Sequence, residues 1–94
     1  MKNMSREKLV KSAETIIAAE GFFAASKVKI ARHAGCSPSL INWHFKTLQQ
    51  LHECVIMRAI RDKDIKIISL AIRSKQPLIS KVPADLRKRA ASFL

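Results

Sequence analysis

Six residues near the middle of the chain carry polar chemistry suited to a nucleic-acid surface. Ser37, Pro38 and Ser39 are followed at short spacing by Asn42, Trp43 and His44. A serine hydroxyl reaches a base edge or a phosphate, and a proline ring packs on a thymine methyl. An asparagine carboxamide pairs with adenine through two hydrogen bonds, and an indole N–H donates to phosphate. Lys27, Lys29 and Lys46 flank this stretch as candidate phosphate contacts, with Ser26 just before them. From Gly21 to His52 there is no Asp or Glu, although Lys27, Lys29, Arg32 and Lys46 all fall there. A carboxylate on a phosphate-facing surface repels the ligand, so its absence fits such a surface.

The rest of the chain agrees in sign. Eighteen Lys and Arg stand against seven Asp and Glu, a net charge of +11 over 94 residues. That field attracts polyanions; nucleic acid is one such partner and an anionic membrane its rival. No stretch of membrane-spanning length is free of charge, so a membrane partner is not expected. Met1 to Arg6 lead into no uninterrupted apolar run, so no secretory signal is read. Cys36 and Cys54 form no CxxC and do not resemble a disulfide framework. A reducing cytoplasmic setting is the expectation, and a compact regulator of this size fits a phage, plasmid or other mobile element.

Catalysis has little to work with. The chain has no glycine-rich phosphate loop, no carboxylates paired at a useful spacing, and no Ser, His and acid set converging on one pocket. His33, His44 and His52 with Cys36 and Cys54 match no standard zinc spacing. No metal, no cofactor and no enzymatic activity are expected. Asp62 and Asp64 lie among Arg61, Lys63 and Lys66 and read as surface ion pairs.

These side chains need helices to position them. Apolar content is 48% with only five aromatic residues, so the core is built from Ile, Leu, Val and Ala. Leu9, Ala13, Ile16 and Ile17 recur at helical spacing from a Ser5 cap to Glu20, and Gly21 sits at a left-handed C-cap position. At least one of Phe22 and Phe23 turns inward. Ser26 caps a short helix, Lys27 to Ala34, with Ile30, Ala31 and Ala34 facing inward. Gly35 ends it and Cys36 fills the turn. Ser37 caps the next helix, with Pro38 in its first position, where the missing N–H costs nothing. Trp43 is expected to be exposed. Thr47 caps a fourth helix expected to run to about Ser74. Ile65 to Ile72 is dense in Ile, yet its continuity with the preceding segment favours helix over strand. A terminal helix spans Pro83 to Leu94, with Leu86, Ala90 and Phe93 on one side. Its Arg87-Lys88-Arg89 run reads as a solvated face, a phosphate clamp or an interaction tail.

Two short helices joined by a tight turn, with Ile30, Ala34, Cys36 and Ile41 in the angle between them, follow the packing logic of a helix-turn-helix. Here the sequence resembles the TetR family of bacterial repressors over roughly Glu7 to Leu51. The resemblance rests on Gly21-Phe22, Ile30-Ala31, Ala34-Gly35-Cys36-Ser37 and Asn42-Trp43-His44-Phe45, in that order. It implies an all-α fold in which the third helix enters the major groove of DNA. It also implies that Ser26 and Lys27 touch the backbone and that Ser37, Pro38 and Ser39 lie at the groove. Asn42, Trp43 and His44 then face the DNA wall. The sequence departs from the family at Asn42, where Tyr is usual, and at Leu48, where Lys is usual; Lys46 is a candidate replacement. Family members normally carry a second, effector-binding helical domain. None follows Leu94 here, so no small-molecule effector is expected.

The expected architecture is about five helices in one domain. Residues 1–52 form a DNA-binding head of three helices; residues 53–94 form a long helix and a short C-terminal helix. The second part carries apolar residues on more than one face, a surplus that suggests cover by a second subunit. Val55, Ile56, Ile60, Ile67, Ile68, Ile72, Leu86 and Phe93 are the candidate dimer contacts. The expected function is a dimeric, sequence-specific regulator on a pseudo-palindromic operator, repressing by occlusion of a promoter. The alternative is an interaction, architectural or segregation protein using the same basic face.

Overall fold

Side-chain caps start four of the helices. In the computed structural model, which describes residues 5–93, Ser5 Oγ accepts from Lys8 N at 3.1 Å and opens α1, Arg6–Glu20. Ser26 Oγ does the same for Lys29 N and opens α2, Lys27–Ala34. Thr47 Oγ1 accepts from Gln50 N and opens α4, Leu48–Asp62. Each bond satisfies one of the N–H groups that a helix leaves without an internal partner. Pro38 starts α3, Pro38–His44, but Ser37 makes no side-chain cap. Its hydroxyl pairs instead with Ser39 Oγ at 2.9 Å. The structure is all-helical among the described residues, and the expected start of the chain and its last residue, Leu94, lie outside them.

The expected fourth helix from Thr47 to Ser74 is two helices. Lys63 adopts the left-handed conformation (φ 56°, ψ 43°), and Asp64 N reaches back to Ala59 O at 2.8 Å. That bond completes a Schellman-type stop. Asp64 then caps α5, Ile65–Arg73, by accepting from Ile67 N at 3.2 Å. Asp64 is therefore a helix cap and not the surface ion pair expected of it. A second stop follows α5 at Lys75, also left-handed at φ 55°. A 3-10 turn over Pro77–Lys81 leads into α6, Ala84–Phe93. Among the described residues six α-helices thus stand where about five are expected.

Gly21 also differs from expectation. Its φ of 91° and ψ of 169° lie outside the left-handed helical region, in a region open essentially only to glycine. This corner sends Phe22 into the core and leaves Phe23 93% exposed.

One continuous core runs through the chain. Leu9, Ile17, Ile30, Ile41, Phe45 and Leu51 join Val55, Ile56, Ile67, Ile68 and Leu86 in a single buried cluster. α1 packs against α2, α4 and α5; α6 packs chiefly on α5, and α3 on α2. The resulting body measures 44 × 20 × 19 Å.

This packing corrects the dimer assignment. Val55, Ile56, Ile67, Ile68 and Leu86 are buried by the chain's own helices. Once the helix breaks at Lys63, α5 folds back on α1 and α4, and α6 covers α5. Most of the apolar surplus is covered within the chain. Ile60 and Ile72 are half-buried against the same core, and Phe93 alone of the eight is exposed, at 57%. Phe93 lies in line with Leu86 and Ala90 on α6, as expected, but at the end of the helix it is not buried with them.

Candidate nucleic-acid interface

The turn between α2 and α3 sets the site. Gly35 is left-handed (φ 79°, ψ 34°), and Cys36 N donates back to Ala31 O at 2.9 Å. The stop lets α3 begin after only three intervening residues, Gly35, Cys36 and Ser37. Ile30 and Ile41 are buried in the angle between the helices, while Ala34 and Cys36 pack half-buried at its edge.

Ile41 fixes the rotation of α3. With about 3.6 residues per turn, burying Ile41 sends Ser39 and Trp43 to the opposite side and Asn42 to the flank beside them. All three are exposed, Trp43 at 79%, and so is Pro38 in the first turn. Lys27 joins them: its Nζ donates to Asn42 Oδ1 at 2.6 Å. The pairing brings one ammonium to the same surface as the carboxamide and the indole. Asn42 keeps its amide N–H donors for a ligand, and Ser37 and Ser39 share one hydrogen between two exposed hydroxyls.

Other predicted contacts are placed differently. Lys29 pairs with the Glu20 carboxylate at the end of α1, so its charge is already compensated. Ser26 Oγ is engaged in capping α2. His44 is half-buried off the exposed face, with the Trp43 ring edge-on at 5.0 Å. Lys46 is exposed beyond the end of α3, and its backbone N donates to Gln50 Oε1 at 2.9 Å. Gln50 and Thr47 thus form a reciprocal cap at the start of α4, much like a capping box. The T-x-x-Q spacing is the signal that reads this from sequence.

Arg6 is the residue that sequence reasoning missed. Its guanidinium lies 4.3 Å over the Phe45 ring. Nη1 donates to His44 O at 3.0 Å, and Nη2 approaches Cys54 Sγ at 3.3 Å. One side chain from the first turn of α1 therefore closes the C-terminal end of α3 and ties it to α4. Basic groups suit that end of a helix, where carbonyls lack internal partners. Arg6 lies 38 residues from His44, and no local pattern links them.

His52 supports the head from beneath. It is buried, with Nε2 2.9 Å from Ala25 O and its ring edge-on to Phe22 at 5.4 Å. Burial pushes its pKa below the usual histidine value, opposed by the bond to Ala25. In the neutral form Nε2–H donates to that carbonyl, just ahead of the Ser26 cap.

An open groove of about 720 Å³ between α1 and α4 is lined by Val10, Met57 and Leu78 with Arg6 and Arg58. It shares no residue with the exposed face of α3. Among the described residues no group of three His, Cys, Asp or Glu side chains is placed to hold a metal ion. No helix among them is long and apolar enough to cross a membrane. Comparison with protein-family models, curated proteins and solved structures returns no match for this chain.

Proposed function

We propose that the chain is a DNA-binding regulator whose α2–α3 unit acts as a TetR-type helix-turn-helix, with α3 in the major groove. The observation that carries this is the one-sided face of α3, where Ser39, Asn42 and Trp43 are exposed together and Lys27 is hydrogen-bonded to Asn42. The face combines base-edge donors, an aromatic N–H and an ammonium within a segment that has no carboxylate. Lys27 and Lys46 supply phosphate contacts; Pro38, Ser39 and Asn42 supply base-edge contacts.

Two heads on a two-fold operator sit about one helical turn apart. With five of the eight candidate contacts in the chain's own core, the pairing surface reduces to Ile60, Ile72 and Phe93. That is far less than a stable free dimer buries, so pairing is expected on the operator. Occlusion of a promoter in the cytoplasm is the regulatory consequence.

Selection of bound sequences from a random duplex pool tests this reading. Enrichment of a site with two-fold symmetry supports it. Uniform binding across sequences with a steep salt dependence instead identifies an architectural or segregation protein. No duplex binding at low salt overturns both.

A further inference from the structure

We infer that α5 and α6 present a second phosphate-binding surface, separate from the α2–α3 face, whose ligand is the backbone of duplex DNA. The inference rests on the DNA-binding reading and extends it to the opposite part of the molecule.

Charge accounting is the first observation. Between Lys63 and Arg89 the chain carries eight Lys and Arg against two Asp. All eight basic residues are exposed. Among the described residues, none of them has a carboxylate within ion-pair distance. Most of the acids are engaged elsewhere: Glu7 and Glu14 face Arg58, Glu20 pairs with Lys29, Asp62 pairs with Arg61, and Glu53 accepts from Gln49. Asp64 caps α5, which leaves exposed Asp85, in the first turn of α6, as the carboxylate on this surface. Like charges gathered with so few counter-charges repel one another, and a polyanion relieves that repulsion.

Helix rotation is the second. Leu86 and Ala90 bury one stripe of α6 against α5. At about 100° per residue, Arg87 and Arg89 flank that stripe and Lys88 projects directly away from it. On α5, Lys66 and Arg73 are seven residues apart and share the solvent side, opposite the buried Ile67, Ile68 and Ala71. Both helices thus offer cations outward and keep their apolar sides inward.

That inward packing selects the partner. A helix that lies on a membrane needs its apolar face free to enter the lipid. Leu86 and Ala90 of α6 are already buried, leaving Phe93 as the one large apolar side chain outside among mostly charged neighbours. A phosphate backbone asks only for exposed cations. The packing order, α3 on α2, α2 on α1, α1 on α5 and α5 on α6, places this surface away from the α3 face along a 44 Å body. The phosphates are those of the flanking duplex or of a second duplex segment.

The test measures duplex affinity against salt concentration for the full chain and for Arg87→Gln/Lys88→Gln/Arg89→Gln. Lys66→Gln/Arg73→Gln is a second variant on the other helix, and circular dichroism confirms that both are folded. Each lost phosphate contact reduces the slope of log affinity against log salt by about 0.9, so the triple variant is expected to lose about 2–3. Capture of a labelled duplex on an immobilised one, lost in the triple variant, identifies a second segment. Slope loss without such capture identifies flanking phosphates. Slope and affinity unchanged in both variants overturn the inference; if Trp43→Ala weakens binding in the same assay, the reading of the head stands. No duplex binding by the unmodified chain overturns both readings. Binding to phosphatidylserine vesicles that the triple variant loses, with its duplex binding unchanged, makes a membrane the partner and also overturns the inference.

Discussion

Lys27 Nζ donates to Asn42 Oδ1 at 2.6 Å, joining the first residue of α2 to the exposed side of α3. The two residues are 15 apart in sequence, and each is a candidate DNA contact in its own right. The bond orients the carboxamide with its N–H donors outward and restrains a flexible lysine before any ligand arrives. Holding both groups in advance lowers the entropy cost of binding.

Lys27→Ala and Asn42→Ala are therefore expected to be non-additive. Each single change weakens duplex binding by about tenfold, near 1.4 kcal/mol. The double variant loses less than the sum, because either change already breaks the shared bond. A double-mutant cycle by fluorescence anisotropy measures this; strict additivity refutes the coupling.

Trp43→Ala is expected to lower duplex affinity by about tenfold and leave stability within about 0.5 kcal/mol. The indole is 79% exposed, so its removal opens no cavity. Urea unfolding alongside the binding measurement separates the two effects. A large loss of stability would place the indole in the core.

Arg6→Ala is expected to cost about 1–2 kcal/mol, through the lost stacking on Phe45 and the lost bond to His44 O. Arg6→Lys recovers little of it, since an ammonium lacks the planar fork that does both. Thermal and urea unfolding of the two variants decide the point. Full recovery by lysine shows that charge alone matters.

Lys63→Gly is expected to raise stability by up to about 1 kcal/mol, a Tm gain of roughly 4 °C. The backbone there is left-handed, which costs a residue with a Cβ and not glycine. Gly21→Ala is expected to move the other way, by about 1–3 kcal/mol, because φ 91° with ψ 169° excludes a side chain. Thermal unfolding of both variants checks the pair of signs.

Stability is expected to fall as pH drops below about 6.5. The folded pKa of His52 lies below its ordinary value of 6.5, chiefly through burial. The unfolded chain therefore binds the proton first, and protonation favours unfolding. The contribution is fully present above pH 6.5, declines below it by at most about 1.4 kcal/mol per pH unit, and levels off beneath the folded pKa. His52→Gln removes this part of the profile. An unchanged profile in that variant assigns the pH dependence to other groups.

Local chemistry made much of the fold legible. Ser5, Ser26 and Thr47 cap the helices they precede because capping needs only a hydroxyl and an N–H three residues on. Gly35 stops α2 because the turn needs a left-handed residue. Trp43 is exposed because Ile41 and Phe45, on either side of it, are buried.

The break at Lys63 was only partly legible. Lysine has no preference for the left-handed region, although the charged run from Arg61 to Asp64 interrupts the apolar spacing and offers Asp64 as a cap. Contacts of α5 with α1, α4 and α6 compensate for the strained turn, and those are tertiary. Arg6 was silent for a similar reason, since its partners His44, Phe45 and Cys54 meet it only after folding.

The face built from Ser39, Asn42 and Trp43 was set by sequence, through helical period and the burial of Ile41. That Lys27 joins it, and that Lys29 turns to Glu20, was decided by the packing of α1, α2 and α3. The same division governs the apolar second half. Periodicity marks Ile67 and Ile68 as buried, but it cannot name the covering surface, because hydrophobic burial has no direction and recognises no particular partner. Only the fold-back of α5 showed that the cover comes from the chain itself.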